Sequence, residues 1–108
     1  MSSRIRIAKH NKIPVVKLSG EFMSQRTPEL SKRLQGLIDD EHDIIAIDMS
    51  EADYLDSYCL GVFVYSWKLM HEAGREIVFV NPSEFVTDLL SETKLSFMIR
   101  VVPTLEAL

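Results

Sequence analysis

The stretch Tyr54-Leu55-Asp56-Ser57-Tyr58-Cys59-Leu60-Gly61 sets a carboxylate, a hydroxyl and a thiol within four residues, just ahead of a long apolar segment. An Asp-Ser pair where a helix should begin puts both oxygens at the positive end of the helix dipole. There they can cap free backbone N–H groups, or the same donors can hold an added anion. The functional reading hangs on Ser57. A phosphate on its hydroxyl would meet free backbone donors, so the fold could accept it while about −1.5 to −2 units of charge arrive beside Asp56. An acidic or apolar docking face would then be repelled. Ser and Asp are also the commonest caps at a helix start, and spacing alone favours that plain role with no further function.

Other groups offer less chemistry. Cys59 near a helix N-terminus could have a lowered pKa, but no histidine is near in sequence and no phosphate-binding arginine follows, which points to a small buried residue. A small enzyme with Ser57 or Cys59 as nucleophile would need a base and an oxyanion-stabilising partner, and neither is visible. No catalytic residue is assigned. His10, His42 and His71 show no metal-ligand pairing, and Asp39-Asp40-Glu41 with His42-Asp43 reads as a solvated helix end and loop. No glycine-rich phosphate cradle occurs, so no metal or cofactor is expected and any nucleotide should belong to a partner.

The scaffold that positions Ser57 is constrained by composition. With 108 residues and 46% hydrophobic content, the chain predicts one domain spanning 1–108. A net charge of −4 from 12 basic and 16 acidic residues gives no basic stripe to follow a phosphate backbone, so nucleic acid is not an expected partner. A lone cysteine, no signal-like apolar start and no run near the ~20 apolar residues of a membrane span predict a cytoplasmic protein.

Arg4 to Ala8 alternates polar and apolar residues as a half-solvated edge strand does, and His10-Asn11-Lys12 turns it into a second strand, Ile13 to Leu18. Pro14 marks a place without a ladder donor. Ser19-Gly20-Glu21 breaks the pattern. Thr27-Pro28-Glu29 then predicts a helix start with Thr27 as cap, and Leu30, Leu34, Leu37 and Ile38 give that helix its buried face, ending near Asp39-Asp40. Ile44 to Ile47 reads as a central strand buried on both faces. A helix from Ser57 to Ala73, stopped by Gly74, leads to a second buried strand, Ile77 to Val80, and the two strands should be parallel with a right-handed crossover. Asn81-Pro82-Ser83-Glu84 predicts another helix, with Asn81 as cap and Phe85, Val86, Leu89 and Leu90 buried. Phe97 to Val102 is the last expected strand, and residues 104–108 one closing turn. The expected architecture is α/β, with a mixed, mostly parallel sheet, an N-terminal hairpin and the order β-β-α-β-α-β-α-β-short α.

Ile47-Asp48-Met49-Ser50, Tyr54-Leu55-Asp56-Ser57, Leu60-Gly61, the Leu18-Ser19-Gly20-Glu21 strand end and the element order together resemble the STAS domain of bacterial anti-sigma-factor antagonists, over nearly the whole chain. The resemblance implies that unphosphorylated protein captures an anti-sigma factor and frees the sigma factor. It implies that the anti-sigma factor, itself a serine kinase, phosphorylates Ser57 to end capture, and that a serine phosphatase restores it. Where the family motif has a second serine and a glycine, this chain has Tyr58 and Cys59, and Phe22-Met23 stands where an acid usually follows the Gly-Glu pair.

The long helix carries a second apolar stripe, Tyr58, Val62, Tyr65 and Leu69, apart from Leu60, Phe63, Val64, Trp67 and Met70. Such a helix is either deeply buried or a docking surface. Gly61 in its interior carries a cost of about 1 kcal/mol, usually tolerated for close packing against a strand or a partner. The expected partner-binding set is therefore Asp56, Ser57, Tyr58, Leu60, Gly61, Val62 and Tyr65, on a monomer or weak homodimer. The competing reading is a non-enzymatic STAS scaffold or subunit of a stress-signalling or lipid-transport complex.

Overall fold

Alternating residues and a short turn build the first element of the computed structural model, which describes residues 3–108. Strands β1 (Ser3–His10) and β2 (Ile13–Phe22) pair antiparallel, from Ser3 opposite Gly20 to His10 opposite Ile13. Asn11 and Lys12 both take positive φ, 50° and 70°, as a two-residue hairpin loop requires to match the strand twist. Pro14 lies opposite Lys9, and pairing of β2 with the next strand begins only at Val15, so its missing donor interrupts no ladder.

The remaining elements alternate: α1 (Thr27–Asp39), β3 (Ile44–Leu55), α2 (Ser57–Glu72), β4 (Glu76–Val80), α3 (Glu84–Glu92) and β5 (Arg100–Val102). The five strands lie in the order β1-β2-β3-β4-β5, and every pair after the hairpin is parallel. This is the expected mixed α/β sheet with β3 at its centre. Leu30, Leu34 and Ile38 of α1, Leu60, Phe63 and Met70 of α2, and Val86 and Leu90 of α3 cover one sheet face over Val16, Leu18, Ile45, Ile47, Ile77 and Phe79. Phe63 meets Phe79 edge to face, ring centroids 5.5 Å apart, and this contact seats α2 on β4. The other face holds a smaller cluster of Val15, Ala46, Val78, Val80 and Val102, covered by Leu105 and Leu108 of the closing 3₁₀ turn.

Several local expectations are corrected. Ser19-Gly20-Glu21 does not end β2; the strand runs on to Phe22 through register shifts against β3, and Gly20 at φ 88° absorbs the irregularity. Thr27 does not cap α1, because a 3₁₀ turn at Ser24–Arg26 enters the helix directly and Arg26 is already helical. Asn81 is a left-handed turn residue at φ 48° whose N–H donates to the Val102 carbonyl, and Ser83 is the cap of α3, accepting from the Val86 N–H at 3.4 Å. Phe85 is 45% exposed, not buried. Phe97 does not begin the last strand: Leu95–Phe97 forms a 3₁₀ turn that leaves Phe97 87% exposed, and β5 keeps three residues.

Candidate functional site

The mouth of α2 is fixed by where β3 lets go of the sheet. Leu55 is the last strand residue, and Asp56 stays extended (φ −90°, ψ 176°), its N–H donating to the Phe22 carbonyl at 3.1 Å. Its carboxylate accepts from the Cys59 N–H at 3.0 Å, making Asp56 the N-cap. Ser57 follows as the first helical residue and is exposed. The N–H groups of a helix's first turn have no intrahelical acceptor, so donors and a dipole end surround its hydroxyl.

Cys59, two residues on, points inward. It is fully buried, its thiol donates to the Met23 carbonyl at 3.5 Å, and its sulfur lies 3.8 Å from the Thr27 hydroxyl. Burial pushes the thiol pKa above its ordinary 9.0, and the Asp56 charge adds to this against the Thr27 contact. The group stays a protonated thiol at neutral pH, so the helix end does not activate it as a nucleophile. Its packing ties α2 to α1 and to the segment after β2.

Beyond Ser57 the surface opens into a groove of about 500 Å³, lined by Ser57, Leu60, Gly61, Val64, Tyr65 and Lys68 of α2 with Thr93 and Leu95 across from them. Its walls are apolar, and Lys68 supplies the only side-chain charge among these lining residues. A Cβ built on Gly61 meets nothing within 4 Å. Among the described residues no strand packs within 4 Å of that position, and the glycine instead keeps the groove floor low. Leu60 is buried beneath, and Tyr65 stands 60% exposed at the side.

Of the seven expected partner-binding residues, four share this groove: Ser57, Leu60, Gly61 and Tyr65. Asp56 holds the helix start. Tyr58, 67% exposed, and Val62, half-buried against the main core, lie outside the groove lining. Thr93 and Leu95 were not expected in the wall. Their place follows from the turn after α3, where Lys94 at φ 63° reverses the chain, and a short polar stretch gives little sign of that. The motif residue Asp48 supports the β3 irregularity rather than the groove, accepting from the Ser50 N–H at 3.0 Å and the Ser50 hydroxyl at 2.8 Å.

With this geometry in view, the likenesses to known proteins are consistent. The STAS domain family model matches residues 4–108. The anti-sigma-B factor antagonist of Listeria monocytogenes is 30% identical over 84 residues, covering 78% of this chain and 74% of that protein. Its namesake in Staphylococcus aureus is 27% identical over 101 residues, 94% of each. Among solved structures, an anti-sigma factor antagonist from Mycobacterium paratuberculosis has a TM-score of 0.88 at 21% identity, covering 98% of this chain and 90% of that one. The Bacillus cell fate determinant SpoIIAA in its phosphorylated form has a TM-score of 0.76 at 14% identity, covering 96% of each. These structural matches show a shared fold. By the family match across residues 4–108, the chain belongs to the STAS domain family.

Proposed function

We propose that the protein is an anti-sigma factor antagonist, a non-enzymatic binding module that docks an anti-sigma factor on the α2 face and is switched off at Ser57. The observation that carries this reading is an exposed serine at the first position of α2, opening onto an apolar groove that runs along the same helix. In the unmodified state the groove offers Val64 and Tyr65 to a partner over the buried Leu60 and Leu95, with little charge to desolvate. A partner kinase moves the γ-phosphoryl group of its own ATP to the Ser57 hydroxyl oxygen and keeps ADP. The new dianion sits at the groove rim beside Asp56 and repels the docked face. A serine phosphatase reverses the change by hydrolysis.

The fold is suited to carry the modification, because Ser57 is exposed and the phosphate would lie on the first-turn donors of α2. Two supports come from relatives: the curated proteins named as antagonists of an anti-sigma-B factor, and SpoIIAA, known in both phosphorylated and unphosphorylated forms with a TM-score of 0.76 to this chain in each.

Pull-down from the native cell with wild-type, Ser57→Ala and Ser57→Asp proteins, followed by phosphopeptide mapping, tests the reading. The expected result is an ATP-binding partner held by the wild type and Ser57→Ala, released by Ser57→Asp, with phosphate mapped to Ser57 of the wild type. Equal capture by the Ser57→Asp protein, or recovery of a large multi-STAS particle with no phosphate on Ser57, would overturn it.

A further inference from the structure

The net charge of −4 conceals a segregation. Residues 1–20 hold Arg4, Arg6, Lys9, Lys12 and Lys17 and no acid, while residues 21–108 hold the other seven basic and all 16 acidic residues. This basic segment is the β1–β2 hairpin, and β1 is an edge strand of the sheet. Among the described residues only Lys17 of the five makes an ion pair, with Glu51 at 3.1 Å, and Glu51 also accepts from the Ser19 hydroxyl. Arg4, Arg6, Lys9 and Lys12 are all exposed.

The register says which groups the edge presents. His10 and Ile13 flank the two-residue turn and form a hydrogen-bonded pair, so Ala8, Arg6 and Arg4 also turn their backbone groups toward β2. Ser3, Ile5, Ile7 and Lys9 therefore direct their N–H and C=O groups outward. Side chains alternate as well. Ile5 and Ile7 lie on the helix-covered face, where Ile7 is left 39% exposed at the margin of the core, and Arg4 and Arg6 lie on the open face. Arg4 and Arg6 border a shallow depression with Ser19, Ser50, Glu51 and Asp53, and Glu51 is already engaged by Lys17.

We propose that the outer edge of β1 receives an extended partner segment in which acidic and apolar residues alternate, added as a sixth strand. Main-chain bonds to Ser3, Ile5, Ile7 and Lys9 hold the segment, its apolar residues extend the core over Ile7, and its carboxylates lie across from Arg4 and Arg6. The same charges exclude a second copy as occupant, since two paired β1 edges would set basic side chains against one another. This surface is separate from the α2 groove and does not depend on Ser57.

The probe is a fluorescent, end-blocked decapeptide of alternating glutamate and valine, titrated into the full chain at low and high salt, with the alternating lysine and valine peptide as control. The glutamate peptide should bind, slow the amide hydrogen exchange of Ile5, Ile7 and Lys9, and weaken as salt is raised. Arg4→Gln with Arg6→Gln should weaken it by about tenfold or more. Ile7→Pro should do the same, because the ring removes an outward donor and no β1–β2 bond. Equal binding of the lysine peptide, unchanged affinity in both variants, or exchange protection elsewhere than β1 overturns the proposal. So does failure of the glutamate peptide to bind, and binding of anionic phosphatidylglycerol vesicles or duplex DNA through Arg4 and Arg6 in its place would assign these charges to another class of ligand.

Discussion

Two adjacent side chains divide the roles at the mouth of α2. Asp56 caps the Cys59 N–H, whereas Ser57 stands free at the first helical position. Asp56→Ala should therefore cost about 0.5–2 kcal/mol in urea denaturation, Asp56→Asn should recover most of that, and Ser57→Ala should leave the midpoint nearly unchanged. The three variants together separate a cap from a modifiable hydroxyl. That an aspartate and a serine mark a helix start is legible in the sequence; which of them caps is not, because that depends on the Asp56 N–H bonding the Phe22 carbonyl. Cys59 is a similar case, since the groups that enclose it, Met23 and Thr27, are 36 and 32 positions away. Its raised pKa gives a second prediction. The folded protein binds the thiol proton more tightly than the unfolded chain, so stability from this group is intact below pH 9.0 and is lost as pH rises above it. Alkaline denaturation of Cys59→Ala should lack that component, and thiol labelling of the native wild type at pH 8 should proceed only as fast as the site opens.

At the scale of elements, α2 is legible as a helix because its apolar spacing is strong, and its bounds of Ser57 and Glu72 lie within a residue of the expected span. The misread features are those where two local signals compete. Thr27 and Asn81 both look like caps, but a preceding 3₁₀ turn makes the first redundant, and a bond to Val102 draws the second into a left-handed turn. The reach of β2 and β3 was also hidden, since a glycine-centred irregularity looks like a strand end when the partner strand is unknown. Gly61 shows what a helical glycine means once the surroundings are visible. With open space above it, Gly61→Ala should raise stability by about 1 kcal/mol through propensity alone, while the added methyl lifts the groove floor and weakens partner capture. Gly36 of α1 also has nothing within 4 Å of a built Cβ and lies outside the groove, so Gly36→Ala should give a similar gain with capture unchanged. Thermal melts and affinity for the pulled-down partner check both, and a Gly61→Ala protein that is more stable yet binds as before would remove the groove from the interface.

For the whole molecule, the α/β class, the element order and the central place of β3 are legible because buried parallel strands read as unbroken apolar runs. The distribution of charge is not legible from the net value of −4, and neither is the uneven covering of the sheet. Among the described residues, α1, α2 and α3 lie on one face, and the closing turn with Leu105 and Leu108 lies on the other. Stability should accordingly concentrate in the helix-facing layer, where Phe63 is fully buried and joins α2 to β4 through Phe79. Phe63→Ala should cost about 3–5 kcal/mol, a large share of the ~5–15 kcal/mol that a domain commands. Its melting temperature should fall by more than about 10 °C. Because Phe63 is on the buried face of the same helix that carries Ser57, partner capture should fail in this variant only as the fraction folded falls, and return on cooling. Ser57→Asp should do the reverse, keeping the wild-type melt while capture is lost at every temperature, and the two variants compared over one temperature series distinguish loss of the platform from loss of the switch.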